Sequence, residues 1–417
     1  MFHFIVRCTA VAAASLTFTI TGVQAQQSFL EPASPILLEQ AITYALKNNS
    51  ELQVLLREVE ASQGIVLQSQ ARPNPTIAYA IDDTRSATRS NTLQFSLPLE
   101  LAGKRAARIA TAQGNQAVVT ADFKIFQAEL TATTKSFFFE LLAAQERESL
   151  AKGSLELAQR ATDVAAKRVQ AGKVSPVEET RASIAQAGAQ IELAQAQSEM
   201  KVARQRLSNL WSNNRPQFTF AGGSLETTPR LPTLKELQDR IERAPVLIRG
   251  KFEIDRRRAA LTLEQAKQTP DVAIGAGVKH ANDLGRTQAL IGVSMAIPIF
   301  DRNEGNVFEA RKRVEKGRDE LQAVTVRITT DVFQSLEQLT ANLNDLNILQ
   351  KNILPNARKA LDVATIGFEF GKFNFLEVLD AQRTLFQATN QYLKALSGAH
   401  RSAIEIDRLL ADTPVNN

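Results

Sequence analysis

The sequence predicts a mainly α-helical fold with a small β part, built from two copies of one structural plan. Long tracts rich in Ala, Gln, Leu, Arg and Glu contain almost no proline, which is typical of long helices. Four short segments alternate apolar and polar residues with the period of a half-buried strand. Landmarks of the first half recur roughly 200 residues later, which indicates an internal duplication. The matching landmarks are Pro75 and Pro270, Pro98 and Pro298, and Gly172 and Gly371.

The chain begins with a segment that we expect to be removed on export. Residues 1–25 combine Arg7, an apolar stretch and the ending VQA, which are the three parts of a secretory signal peptide. The single cysteine, Cys8, lies in this segment, so the exported chain would have neither a disulfide nor a thiolate metal ligand. We therefore expect an exported protein that is stabilised by packing.

Charge and hydropathy restrict the class of protein further. The formal net charge is +5, but acidic and basic residues are interspersed, as in RKRVEKGRDE, so we expect no nucleic-acid partner. After residue 25 no apolar run reaches the roughly 18 residues that a membrane-spanning helix needs. The remaining classes are a soluble periplasmic protein, a secreted protein and a β-barrel.

Each copy contains the same elements in the same order. The first repeat, residues 26–211, is predicted to contain a helix over 36–70, a β-hairpin over 74–100, a long helix over 102–171 and a returning helix over 175–211. The second repeat, residues 234–410, is predicted to contain a helix over 234–268, a β-hairpin over 270–300, a long helix over 302–370 and a returning helix over 374–410. An irregular segment over 212–233 joins the repeats, and a tail follows over 411–417.

The predicted lengths indicate how the helices pack. A helix of about 70 residues spans roughly 105 Å, whereas the returning helix has only about half that length. The helix that precedes the strands supplies the missing half, so each copy can form one continuous column and one column stacked end to end. The segment over 212–233 would then form a belt around the joint. Pro355 is expected to kink the second long helix.

The strand patterns predict apolar faces that need a partner. Four strands cannot close a barrel by themselves, but three chains would supply twelve strands and leave no open edge. A small soluble sandwich that caps a coiled coil remains the alternative. The apolar positions of the alternation are Ile77, Tyr79 and Ile81, then Leu93, Phe95 and Leu97, then Ile291, Val293, Met295, Ile297 and Ile299.

The turn between the long and returning helices of the first copy carries a recognisable motif. Its residues are Arg168, Gly172, Ser175 and Glu178. The pattern resembles the tip signature of the TolC-type outer membrane factors, Arg-x-x-x-Gly-x-x-Ser-x-x-acid. The resemblance covers essentially the whole exported chain, since it includes the duplicated helix–hairpin–helix plan.

The second copy departs from the signature, and another run narrows the resemblance. Gly367 and Asn374 replace the Arg and the Ser, whereas Gly371 and Glu377 remain, so equal docking at both tips is in doubt. The run LELAGKRAARIATA over 99–112 resembles the heavy-metal subfamily, which serves cobalt-zinc-cadmium and cobalt-nickel resistance systems.

The resemblance implies a fold, a location and partners. It implies a homotrimer in which a twelve-stranded barrel crosses the outer membrane of a Gram-negative bacterium and continues into a twelve-helix periplasmic tunnel. The implied partners are outer membrane lipid, a periplasmic adaptor (membrane fusion) protein and an inner-membrane RND pump. The implied function is the exit duct of efflux for divalent cobalt, zinc, cadmium and nickel. Multidrug efflux, type I secretion, a periplasmic adaptor and a coiled-coil scaffold remain alternatives.

The resemblance also assigns candidate site residues. The adaptor-docking tips would contain Arg168, Gly172, Lys173, Ser175, Glu178, Gly371, Lys372 and Asn374. Glu377 and Asp380 lie three residues apart on one helical face and would form an acidic periplasmic gate. Six carboxylates in a ring would favour bound cations. First-turn carboxylates that complement a helix dipole are the alternative. The first copy has Arg181 where the second has Asp380, so the gate is not doubled.

The sequence predicts neither a resident metal site nor an enzyme. Outside the predicted signal peptide the histidines are His280 and His400, and two isolated histidines without cysteine do not make a dedicated transition-metal site. No nucleophile elbow, phosphate loop or zinc-protease motif occurs. We therefore expect no cofactor and no catalysis, with any selectivity for metal residing in the partners.

Overall fold

The computed structural model describes Glu31 and residues 35–411, so the predicted signal peptide and most of the C-terminal tail lie outside the described residues. The helices are α1 Leu38–Asn48, α2 Ser50–Gln70, α3 Lys104–Gln170, α4 Pro176–Asn209, α5 Leu234–Ile241, α6 Pro245–Lys267, α7 Glu304–Ile348, α8 Leu354–Glu369 and α9 Phe375–Leu410. The strands are β1 Thr76–Asp82, β2 Ser90–Leu99, β3 Val272–Ala281 and β4 Arg286–Met295. None of the described helices is long and apolar enough to cross a membrane.

The two helices that precede the strands are each broken, although the sequence predicted them to be continuous. Asn49 has an extended backbone between α1 and α2, and its side chain accepts a hydrogen bond from the N–H of Leu52 at 2.9 Å. This side chain therefore begins α2 as an N-cap. In the second copy Pro245 occupies the first turn of α6, where its missing N–H leaves no hydrogen bond unmade.

The second long helix is interrupted where the proline predicted a kink. Residues Leu349–Ile353 form a π turn between α7 and α8, directly before Pro355. A proline in a helix lacks an N–H, and its ring clashes with the carbonyl four residues earlier. The wider π turn makes room for the proline ring without ending the helix.

In the first copy, α2 and the returning helix α4 stack end to end along α3. At their joint the Asn49 side-chain amide donates to the carbonyl of Leu210 at 2.9 Å, and the hydroxyls of Ser50 and Ser212 are 2.8 Å apart. The corresponding joint of the second copy contains an ion pair of Arg240 with Asp407 at 3.0 Å. In both copies a helix that precedes the strands therefore meets the end of the returning helix, although the breaks at Asn49 and before Pro245 leave these helices shorter than predicted.

The segment between the copies packs over these joints. Its Phe218 is fully buried, and the N–H of Gly222 donates to the carbonyl of Ile36 at 2.8 Å. The buried carboxylate of Glu31 accepts hydrogen bonds from the Trp211 indole at 2.5 Å and from the N–H of Gln217 at 2.7 Å. We call residues 212–233 the belt, since they tie the start of the described chain to the middle of the helical layer.

The four strands form one antiparallel sheet in the order β1-β2-β3-β4. Their register brings the apolar positions of all strands to one face, since Ile77 pairs with Phe95, Phe95 with Ala276, and Ala276 with Ile291. Large apolar side chains on this face, among them Ile291, are exposed in the single chain. Strand β4 ends at Met295, so the predicted continuation of the alternation over 297–299 lies beyond the sheet.

Candidate docking tips and gate

The two candidate tips have the same backbone. Gly172 and Gly371 adopt φ values of 64° and 75°, the left-handed region that favours glycine. In the first tip the N–H of Lys173 donates to the carbonyl of Arg168 at 2.9 Å, and in the second tip the N–H of Lys372 donates to that of Gly367 at 2.8 Å. This bond pattern is the Schellman motif, which ends a helix and satisfies its last carbonyl groups.

Different side chains begin the returning helices. The Ser175 hydroxyl accepts a hydrogen bond from the N–H of Val177 at 3.3 Å and so caps α4. The side chain of Asn374 caps α9 by accepting from the N–H of Glu377 at 3.1 Å. The Glu377 carboxylate in turn accepts from the N–H of Asn374 at 3.3 Å, which completes a capping box. The replacement of Ser by Asn therefore preserves the cap.

The two carboxylates of the candidate gate have different surroundings. Glu377 is held in the capping box at the start of α9. Asp380 is exposed, and its carboxylate makes no hydrogen bond or ion pair within the described part of the chain. Glu178, the acid of the first tip, is half-buried in the first turn of α4. In the second tip the exposed Asp380 carboxylate is thus without such a contact, whereas the Glu377 carboxylate is engaged by the backbone of Asn374.

Asp380 lies on the face of α9 that points away from the belt. At about 100° per residue, Gln391 and Gly398 lie on the same face as Asp380, whereas Thr389 and Leu396 lie on the opposite one. The cavity beneath the belt is lined by Thr389 and Leu396, and the groove on the other side of the layer is lined by Gln391 and Gly398. The face that carries Asp380 is therefore polar and open.

An apolar cluster joins the two hairpins at their tips. Phe368 and Phe375 are buried with ring centroids 5.8 Å apart. The other buried members are Ala165, Ala182, Ala364 and Val378. The sequence predicted no role for these aromatic residues, and the available signal was the recurrence of Phe around Gly371.

The run over 99–112 forms the junction of the sheet with the helices. The Lys104 ammonium lies 2.7 Å from the Asp271 carboxylate, which precedes β3. The Arg105 guanidinium donates to the carbonyl of Gln70 at 2.8 Å, and Arg108 donates to that of Ala71 at 2.8 Å and pairs with Glu100. Two arginines thus satisfy the carbonyl end of α2 and complement its dipole.

The histidines have structural surroundings. The His400 ring stacks on Phe139 with centroids 4.0 Å apart, and its Nε2 lies 3.0 Å from the carbonyl of Leu225 in the belt. Burial lowers the pKa of His400, so the ring is neutral at neutral pH. The Nδ1 of His280 lies 3.1 Å from the Thr287 hydroxyl across the strand pair. Within the described residues, no cluster of three or more His, Cys, Asp or Glu side chains could hold a metal ion.

Known proteins are similar to this chain in sequence and in fold. A profile described as outer membrane efflux protein matches residues 41–213 and 237–412. The chain is 40% identical to the cobalt-zinc-cadmium resistance protein CzcC of Cupriavidus metallidurans, over 91% of this chain and 91% of that protein. It is 26% identical to the nickel-cobalt-cadmium resistance protein NccC of Alcaligenes xylosoxydans xylosoxydans, over 79% of this chain and 75% of that protein. A crystal structure of CusC has the same fold, with a TM-score of 0.77 at 18% identity, over 89% of this chain and 91% of that one.

Proposed function

Because the chain belongs to the outer membrane efflux protein family, we propose that it is the outer membrane exit duct of a tripartite export system for divalent metal cations. The observation that supports a metal cargo is the 40% identity, across 91% of both chains, to a protein named for resistance to cobalt, zinc and cadmium. The second relative, named for nickel, cobalt and cadmium, extends the same class of cargo. The chain itself acts as a conduit, and its partners are a periplasmic adaptor and an inner-membrane RND pump.

The open edges of the chain support assembly into a trimer. Strands β1 and β4 each have one unpaired edge, so the sheet can continue into neighbouring chains. Three copies give twelve strands, which closes the sheet into a barrel with its apolar face towards lipid. The helical layer has corresponding edges at α4 and α8. Exposed apolar stripes run along them, at Val177, Ile184 and Ile191 on one edge and at Val363, Ile366 and Phe370 on the other.

The polar face of α9 supports the proposed gate. In a closed ring of helices with the belt outside, the face of Asp380 lines the tunnel. Three exposed Asp380 carboxylates near the mouth would attract divalent cations. Glu377 contributes less in this arrangement, since its carboxylate is engaged by the backbone of Asn374.

The two single variants separate these roles. Asp380→Asn in planar bilayers should weaken block of the channel by divalent cations and raise conductance, whereas Glu377→Gln should change both less. Unchanged currents in both variants would remove Asp380 from the gate, and equal effects would mean that Glu377 contributes as much as Asp380. Far-ultraviolet circular dichroism serves as the control that α9 remains folded in each variant.

The tips are the proposed docking sites for the adaptor. The exposed Lys173 and Lys372 project from the two turns, and the glycines next to them hold the turn geometry. Six tips in a trimer would receive adaptor hairpins. The residues assigned to docking by resemblance lie in these two turns and the helix ends beside them.

The cargo proposal is tested in the bacterial host. Deletion of the gene should lower tolerance to zinc, cobalt, cadmium or nickel, and the plasmid-borne chain should restore it. A plasmid that encodes the chain without residues 1–25 is the matched control, since it removes the export signal and leaves the described chain intact. Unchanged metal tolerance with lost tolerance to organic drugs would transfer the function to multidrug efflux.

A further inference from the structure

Arg168 contacts the other tip of its own chain. It lies in the last turn of α3, and its Nη2 donates a hydrogen bond to the carbonyl of Phe368 at 2.6 Å. Its Cζ lies 4.4 Å from the centroid of the Phe368 ring. The side chain is half-buried between the hairpins. One guanidinium therefore makes both a charge-assisted hydrogen bond and a cation–π contact with the same residue.

The carbonyl that Arg168 binds belongs to the turn of the second tip. The oxygen of Phe368 also accepts the N–H of Gly371 at 2.9 Å, so the guanidinium occupies its second acceptor position. The charge of Arg168 thus lies at the carbonyl ends of both α3 and α8, where two helix dipoles favour a cation. A planar guanidinium can stack on a ring and donate at its edge together, which an ammonium cannot.

The second copy has no room for an equivalent arginine. Gly367 occupies the position that corresponds to Arg168, and a Cβ there would overlap the ring of Phe373. The first copy therefore supplies one cation that serves both helix ends. In the second turn, the ring of Phe373 thus occupies the space beside the position of the missing arginine.

Few other polar contacts hold the hairpins together near the tips. Between the belt and the tips, the described residues of α3 and α9 make one further polar contact, from the Gln382 amide to the carbonyl and hydroxyl of Ser154, both at 3.2 Å. Ser154 is 14 residues from Arg168, or about 21 Å along the helix. Without Arg168, the described contacts between the two tips would be mainly those of the small apolar cluster, which are not directional.

We propose that Arg168 is a positioning residue that fixes the second tip against the first and is not itself presented to the adaptor. The proposal rests on the proposed function, in which both tips dock the adaptor. It changes the role that the motif gave this residue. Its consequence is that Arg168 sets the spacing of two docking sites in each chain, and through the trimer the spacing of all six.

Distances between the tips test the proposal without any partner. Spin labels at Lys173→Cys and Lys372→Cys are read by double electron–electron resonance, in trimers diluted with unlabelled chain. The only native cysteine lies in the predicted signal peptide. Arg168→Ala should broaden the distribution about twofold, because local order near chain turns depends on few contacts. Arg168→Lys should broaden it almost as much, since it keeps the charge but not the planar fork.

Two controls make the result specific. Lys167→Ala removes the neighbouring exposed cation and should leave the distribution unchanged. Phe368→Leu keeps an apolar side chain but removes the ring, and it should reproduce part of the broadening. Combined with Arg168→Ala, it should add little to the single change, because the cation–π contact that it removes is already lost in Arg168→Ala. Unchanged distances in Arg168→Ala overturn the proposal.

Measurements of adaptor binding distinguish a failure of this proposal from a failure of the proposed function. A purified RND-type membrane fusion protein is titrated onto immobilised trimer, and Arg168→Ala should weaken binding about tenfold through the displaced second tip. Weaker binding with an unchanged distance distribution would make Arg168 a direct docking contact and overturn the proposal. Broadened distances in a protein whose parent binds no adaptor would leave the positioning role in place and contradict the proposed function instead.

Discussion

The two copies share a backbone plan but bury their returning helices differently. Helix α4 packs on α3 at the edge of the layer, whereas α9 lies between α3 and the segment α7–α8. The buried side chains of α4 are Ala182, Ala189, Ala196, Ala203, Leu207 and Ser208. Those of α9 include Phe375, Val378, Leu393, Leu396, Ile404, Ile406 and Leu410. The position of a helix in the layer, rather than its place in the duplicated plan, has set the size of its buried side chains.

In the hairpin of α3 and α4, at the edge of the layer, buried alanines on both helices form the contact between them. In α3 the buried alanines facing α4 are Ala144, Ala151, Ala158 and Ala165, spaced seven residues apart like those of α4. Ala165 and Ala182 lie in one apolar cluster, and Ala144 and Ala203 lie in another, so the two series face each other about the turn. Small side chains let helices approach closely. A larger side chain in this contact between α3 and α4, which we call the alanine seam, should therefore destabilise the hairpin.

The largest expected effect follows from truncation in the interior hairpin. Leu396→Ala removes a side chain that is 1% exposed and should lower the free energy of unfolding by about 2–5 kcal/mol, through lost transfer energy and a cavity. Leu376→Ala is the matched control, because the same change on the same helix affects a side chain that is 54% exposed. Thermal loss of the helical circular dichroism signal measures both. Similar melting temperatures for the two variants would contradict the assignment of α9 to the interior.

A second contrast separates the helices that precede the strands. In α2, Arg57 pairs with Glu60 at 2.6 Å on the surface. In α6, the buried Glu253 accepts hydrogen bonds from Arg256 at 2.6 and 2.8 Å and from Arg257 at 2.7 Å. These bonds, chiefly from Arg256 and then from Arg257, lower the pKa of Glu253 from 4.5 to about 2.

This difference predicts that Glu253, in the second copy, makes the free energy of unfolding depend on acidic pH. A carboxyl whose pKa is lowered on folding stabilises the protein above pH 4.5, and the stabilisation is lost as the pH falls towards 2. Glu253→Gln should therefore lower the free energy of unfolding at pH 7 by about 1.5–3 kcal/mol and flatten its dependence between these pH values. Glu60→Gln should change it by about 0.5 kcal/mol or less. Melting temperatures measured across this pH range would reject the contrast if both variants behaved alike.

The alanine seam gives the next effect in size. Ala189→Leu places a larger side chain between α3 and α4 and should destabilise the hairpin by about 1–3 kcal/mol through overpacking. Ala187→Leu, two residues away on the exposed face of α4, is the control and should be nearly neutral. Limited proteolysis of the hairpin at rising temperature reports this seam locally. A tolerant Ala189→Leu variant would mean that α4 does not pack closely on α3.

Sequence patterns predicted the parts of this fold that depend on local chemistry. The resemblance to TolC-type outer membrane factors, read from a motif around Gly172, is confirmed by the match of the family over most of the chain. Helix–strand order and the stacking of α2 on α4 also agree with the structure, because periodicity and length determine them. The breaks at Asn49 and before Pro245 were not predicted, since a single cap residue can end one helix and begin the next without changing the hydrophobic period.

The candidate site was harder to predict than the fold. The sequence pairs Glu377 with Asp380 by their spacing, but the hydrogen bond that engages Glu377 depends on the backbone of Asn374. The contact of Arg168 with Phe368 joins residues 200 positions apart, and no local pattern encodes it. Whether Asp380 forms a gate and whether the tips dock an adaptor remain predictions, because a single chain contains neither the ring nor the partner.

The smallest expected effects come from the left-handed glycine of each tip, the feature that the two copies share most closely. Gly172→Ala and Gly371→Ala each place a Cβ on a left-handed residue, which costs about 1 kcal/mol. A Cβ at Gly172 would have open space around it, and one at Gly371 would meet only the Nη2 of Arg168 at 3.5 Å, an ordinary contact. Steric crowding therefore adds little in either tip, and the two penalties should be equal although the side chains around them differ.

Hydrogen exchange of the tip amides measures this local penalty. Each Gly→Ala change should speed exchange at its own turn by about fivefold and leave the other turn unchanged, because about 1 kcal/mol of strain acts only on local opening. Gly172→Asn and Gly371→Asn should recover most of the protection, since asparagine tolerates the left-handed region better than alanine does. A larger effect at Gly371 than at Gly172 would show that the contact of Arg168 constrains the second turn beyond its backbone. The two copies would then differ at the turn itself as well as in the side chains packed around it.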